Sequence, residues 1–160
     1  MIIFFTVISK RTMFHCVIVG ESQADRAEVI KDLLDRGFNP FVKNGEGLYF
    51  TELVEIGSEL ETSLLEIVPS YSYIKLWIAI ERRDLNEINR MATLQATVLP
   101  IPKHMGMTFC SIIDDKEIID LLEGVDGYME LRVCAAIIKG ENELLKHLLA
   151  LSADPTREIS

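Results

Sequence analysis

Apolar residues recur along much of this chain at intervals of three and four, the spacing that gathers side chains on one face of an α-helix. The pattern is clearest near the end, where Val133, Ala136 and Ile137 are followed, after a break at Gly140-Glu141, by Leu144, Leu145, Leu148 and Leu149. Two amphipathic helices folded back on each other are expected there. The second should run out across Leu151-Ser152-Ala153-Asp154-Pro155, because proline cannot continue a helix.

The same pattern predicts four more hairpins upstream. Phe14, Val17 and Ile18 precede Val29, Ile30, Leu33 and Leu34, which close at Arg36-Gly37. Phe50, Leu53 and Val54 lead through Gly57-Ser58 to Leu60, Leu64, Leu65 and Val68, ended by Pro69. Leu76, Ala79 and Ile80 pass through the charged turn Glu81 to Asp84 into Leu85, Ile88 and Met91. Phe109, Ile112 and Ile113 precede a short Asp114-Asp115 turn and then Ile118, Ile119, Leu121 and Leu122, closed by Glu123-Gly124. The expectation is an all-α domain over residues 1–160 built from five hairpins, at 11–43, 44–70, 71–102, 103–127 and 128–156.

A second architecture fits the first hundred residues. MFHCVIVG, LYFTELVEI, YIKLWIAI and ATVLPIP are rich in β-branched and aromatic residues, so they also read as strands of a ferredoxin-like α+β fold followed by a C-terminal helical hairpin. Short apolar runs do not separate the two by periodicity alone.

The segment AAIIKGENELLKHLLALSADPT, residues 135–156, has small residues, a turn glycine, a leucine-rich second helix and an Ala-Asp ending. Thr12-Met13-Phe14-His15 stands where a Thr-Pro-Leu-His turn would begin a first helix, and LLDRGFNP, residues 33–40, has the form of a helix end and loop entry. On these residues the chain resembles the ankyrin repeat, a helical-hairpin solenoid with a unit of about 33 residues. The anchors Phe14, Phe50, Leu76, Phe109 and Val133 are spaced by 36, 26, 33 and 24, so the second and fourth units must lack most of their connecting loop. No complete Thr-Pro-Leu-His occurs, and Val17-Ile18, Leu53-Val54 and Ile112-Ile113 replace the small pair.

The resemblance implies a non-enzymatic inhibitor or adaptor that docks a protein on its concave side. The positions carried over are Val19, Glu55, Glu81, Arg82, Asp114, Asp115, Ile138 and Lys139. Glu55, Glu81, Asp114 and Asp115 would form an acidic stripe for a basic partner surface. His104, Met105 and Met107 lie in the one long loop, and Trp77 takes the place of the turn histidine, where it is either core or an interface anchor. His15, at the corresponding place in the first unit, is expected to satisfy backbone of a neighbouring unit.

Composition narrows the alternatives. A net charge of −9, from 25 acidic and 16 basic residues without a basic stripe, argues against direct nucleic-acid binding but leaves open an acidic decoy for a nucleic-acid-binding site. Cys16, Cys110 and Cys134 are too scattered for a zinc or disulfide framework and are expected to be reduced, buried thiols. No metal or cofactor is expected, since neither His15-Cys16 nor His104 with Cys110 has the repeated short spacing of a ligand set. Gly20 alone makes no phosphate loop, and no serine sits in a nucleophile turn, leaving a small α+β enzyme or ligand-binding domain as the residual catalytic alternative. The start, Met1 to Ile8, is apolar but too short to span a membrane and lacks a basic leader, so a cytoplasmic protein without membrane association is expected, as a monomer or weak homodimer. Ile2-Ile3-Phe4-Phe5 is expected to cap the first hairpin.

Overall fold

In a computed structural model, residues 13–19 and 26–151 are described. They contain nine α-helices: α1 Met13–Val19, α2 Arg26–Asp35, α3 Glu59–Ile67, α4 Tyr71–Arg82, α5 Leu85–Thr93, α6 Phe109–Ile113, α7 Lys116–Leu122, α8 Tyr128–Lys139 and α9 Asn142–Ala150. Single 3-10 turns occupy Phe50–Leu53 and Lys103–Met105. The chain is all-α: among the described residues the only β pairing is an isolated bridge between Thr97 and Asp126.

The ferredoxin-like alternative is therefore corrected. MFHCVIV and YIKLWIAI are helical, the Phe50 segment is a 3-10 turn, and ATVLPIP is extended but pairs with no strand. In α4 every residue from Ile74 to Ile80 is buried, so β-branched residues enter a helix because the site is apolar all round, and burial outweighs their modest helix penalty.

The chain divides into two compact units, one ending at Ile74 and the other beginning at Lys75, with the boundary inside α4. In the N-terminal unit α1 packs on α2 and on the Phe50–Leu53 turn, and α2 packs on α3. Phe14 stacks on Phe50 with ring centroids 4.9 Å apart, Phe50 meets Tyr71 at 6.4 Å, and Ile30 and Leu64 are fully buried. In the C-terminal unit α5 packs on α7, α6 on both α7 and α8, and α8 on α9. Val133, Ala136 and Leu148 form the core of the last pair, with Leu144 and Leu145 partly buried against it. Ile137 and Leu149 lie off this stripe and are exposed, unlike their expected core positions.

Loop lengths alternate as the anchor spacing requires. Residues 36–49 and 94–108 are long connections, whereas 68–70 and 123–127 are short. The turns inside the helix pairs have defined caps. Ser58 Oγ accepts from Glu61 N at 3.2 Å, Asp84 Oδ1 from Glu87 N at 3.2 Å, and Asp115 Oδ1 from Glu117 N at 3.1 Å, each satisfying a donor at the start of a second helix.

The ends of α4 and α8 share one geometry. Asp84 N donates to Ala79 O and Arg83 N to Ile80 O, just as Glu141 N donates to Ala136 O and Gly140 N to Ile137 O. This is a left-handed helix ending, for which Gly140 (φ 72°) is suited and Arg83 (φ 54°) is not. Gly127, at φ 87°, opens α8 against Leu99, whose Cγ would lie 2.6 Å from any Cβ placed there.

The expected N-terminal cap at Ile2 to Phe5, Thr12 of the first turn and the end at Ser152 to Pro155 lie outside the described residues.

Candidate partner-binding surface

Two ring donors organise the long loops. His15, 1% exposed, donates from Nε2 to Leu48 O at 2.6 Å, tying α1 to the segment that enters the next helix pair. Trp77, fully buried, donates from Nε1 to Val98 O at 3.1 Å in the other long loop. The expected role of His15 is thus observed. The interface role for Trp77 is corrected: its ring fills the core and its one donor is used on backbone, because an indole N–H buried without a partner is costly.

The residue one place after each first-helix anchor follows the same logic. Where a short loop follows there is no carbonyl to hold, and the position carries Thr51, whose buried Oγ1 has no hydrogen-bond partner among the described residues, or Cys110. Cys110 and Cys134 are half-buried, and burial pushes both thiols up. Cys16 is exposed, contrary to expectation, since it points away from the Phe14–His15–Ile18 face.

In the C-terminal unit Asp114 and Asp115 of the expected acidic stripe are engaged with cations, and Glu81 faces the His104 ring. Arg83 Nε donates to Asp115 Oδ2 at 2.7 Å, and Arg83 Nη2 lies 3.4 Å from Glu117 Oε1. Hydrogen bonding from Arg83 is the main cause holding the Asp115 carboxyl below the usual carboxylate range, helped by backbone donors at the start of α7. Lys139 Nζ donates to Asp114 Oδ1 at 2.5 Å, and that bond raises the Lys139 ammonium above its ordinary range. His104 Nε2 is 3.6 Å from Glu81 Oε2. Cations from the two neighbouring pairs thus both reach the Asp114-Asp115 turn, where a ladder of opposite charges replaces a bare negative stripe.

Arg82 is exposed at the end of α4. Glu55 is exposed in the N-terminal unit. Met105 is corrected from a loop-tip contact to a core residue, 5% exposed, since the Lys103–Met105 turn folds it inward; the adjacent Met107 is 63% exposed. Ile138, beside Lys139, is 40% exposed. Val19 is helical at the end of α1.

One surface feature escaped sequence reasoning. An open groove of about 570 Å³ runs beside the turn between α7 and α8, lined by Glu123, Asp126, Tyr128, Met129, Arg132 and others. Arg132 lies over the Tyr128 ring at 5.8 Å, an i,i+4 pair that the sequence contains but that spacing alone does not distinguish from helix surface. Among the described residues no three His, Cys, Asp or Glu side chains converge to hold a metal. Among them, too, no helix is long and apolar enough to cross a membrane.

No family model, curated protein or solved structure matches this chain.

Proposed function

We propose that this protein is a non-enzymatic interaction module of ankyrin-like stacked hairpins, which binds a protein partner and so blocks or recruits it. The observation that carries this reading is the pair of long-range ring donors, His15 to Leu48 O and Trp77 to Val98 O. They fasten extended loops to first helices, His15 near the start of α1 and Trp77 in the middle of α4, much as a repeat array uses a turn residue to fix loops that meet a partner. The packing of α1 on the Phe50–Leu53 turn, α2 on α3, α5 on α7 and α6 on α8 supports it, because like helices of successive pairs are neighbours.

The docking surface runs over Glu81, Arg82, His104, Met107, Asp114, Ile138 and Lys139 in the C-terminal unit. Asp114 is paired with Lys139 there and Arg83 holds the adjacent Asp115, so the partner presents a mixed surface with an apolar contact for Met107 and Ile138, and a basic side chain that competes with Arg83 or Lys139 for the carboxylates. The acidic-decoy reading needs unneutralised carboxylates at phosphate-like spacing, and the ladder gives it no support.

The test is cross-linking mass spectrometry on complexes captured from the native host. Cross-links concentrated at residues 81–82, 103–107 and 138–139, and capture lost in a Met107→Asp, Ile138→Asp variant of unchanged circular dichroism, are expected. Unchanged capture by that variant would remove this surface from consideration. A loss of affinity of several powers of ten between low and physiological salt would favour the decoy.

A further inference from the structure

The helices α6 and α8 pack against each other, and each carries a cysteine immediately after its apolar anchor: Cys110 after Phe109, Cys134 after Val133. The relative register of the two helices is fixed one turn further on. Asp114, four residues after Cys110, is bonded to Lys139, five residues after Cys134. Four and five residues are about 6 and 7.5 Å along a helix axis, so the two cysteines lie at matching heights on the packed helices, one turn from the ion pair. The four groups also act on one another's ionisation: Lys139 and Asp114 on Cys110, and Cys110 on Cys134. Both thiols are half-buried, reachable by a small molecule and poorly placed for a second protein.

We propose that Cys110 and Cys134 are a redox-sensitive pair, which a low-molecular-weight disulfide of the glutathione class converts into an intramolecular disulfide joining α6 to α8.

The Cys110 thiol loses its proton and its sulfur attacks one sulfur of the small disulfide, expelling one thiolate, which takes up that proton. The Cys134 sulfur then attacks Cys110 in the mixed disulfide, loses its own proton and expels the second small thiol. Two protein thiols are oxidised to one S–S bond and one small disulfide is reduced to two thiols, so atoms and electrons balance. Burial raises both thiols; at Cys110 Lys139 works against it, with Asp114 opposing Lys139, while at Cys134 burial and Cys110 both act upward, so Cys110 acts first. Since burial raises both thiols, the exchange quickens from neutral to mildly alkaline pH. The bond would tie together two helix pairs beside Asp114 and Lys139, so redox poise would bear on the rigidity of the proposed docking surface.

The experiment uses the full chain with Cys16→Ser, which removes the exposed thiol and with it intermolecular bridging. Native protein is incubated with oxidised glutathione at mildly alkaline pH, then mapped by mass spectrometry without reduction. The expected product has lost about two daltons, the two hydrogens of the thiols, joins the peptides containing Cys110 and Cys134, keeps its helical circular dichroism and reverts with dithiothreitol. In parallel, Cys134→Ser should retain a stable glutathione adduct on Cys110. Persistent adducts on both cysteines of the two-thiol protein, or two thiols still alkylated in full after the incubation, would overturn the proposal.

Discussion

At the scale of single residues, buried donors and left-handed backbone decide the local energetics. Trp77→Phe keeps most of the ring but leaves Val98 O without its donor, and we expect a loss of about 1–2 kcal/mol, read as a lower urea midpoint with an unchanged slope. A loss below a few tenths of that scale would mean water replaces the indole. Gln95, at φ 62°, ends α5 in the conformation that Gly37 uses at φ 87° to end α2. Because a Cβ is unfavourable there, Gln95→Gly should stabilise by about 0.5–1 kcal/mol even though glycine gains freedom on unfolding. Tyr73, pushed up to about 12 by burial, will ionise well above free tyrosine. Its folded pKa lies above its unfolded one, so the neutral-phenol contribution is intact below about pH 10 and is lost as pH rises through about 12. Ultraviolet difference titration of wild type against Tyr73→Phe should show this one late-titrating phenol.

At the scale of elements, most of what folds was readable in the apolar spacing, and what was not has a common cause. The turns at Glu81 to Asp84, Asp114-Asp115 and Gly140-Glu141 fall where periodicity breaks, and the short links at 68–70 and 123–127 follow from anchor spacings of 26 and 24. Periodicity reports which face is apolar but not which neighbour covers it. Hence Ile137 reads as core yet is 59% exposed, and Trp77 reads equally as core or surface although it is buried. Pairing of charge is equally invisible in local spacing: Arg83 and Asp115 are 32 residues apart and meet only because α5 and α7 pack. The loop alternation itself yields a test. Limited proteolysis should nick first within 36–49 and 94–108, where Phe38, Lys43, Lys103 and Met107 are exposed, and spare 68–70 and 123–127. First cuts in the short links would contradict the assigned helix ends.

At the scale of the whole molecule, a chain of net charge −9 places some of its carboxylates against cations. Arg83→Met should therefore destabilise at neutral pH through Asp115 and Glu117. The sign with pH follows from the depressed Asp115 pKa: its contribution is present above the ordinary carboxylate range and disappears as pH falls through the lower folded value. The stability gap between wild type and Arg83→Met should then close on acidification, measured as urea midpoints from pH 7 down to pH 3. A gap that stays constant would show that Arg83 acts through its side-chain stem and not through the ion pair.

The two ring donors carry one last consequence. His15 and Trp77 stand 62 residues apart, each in the first helix of a pair that ends in a long loop, while the pairs anchored at Phe50 and Phe109 end in short links and carry Thr51 and Cys110 at the corresponding place. The described helix pairs thus alternate between long and short outgoing links. The two donors lie 62 residues apart and their accepting carbonyls, Leu48 and Val98, only 50, so each long loop is fastened at its own point and would respond separately to loss of its ring.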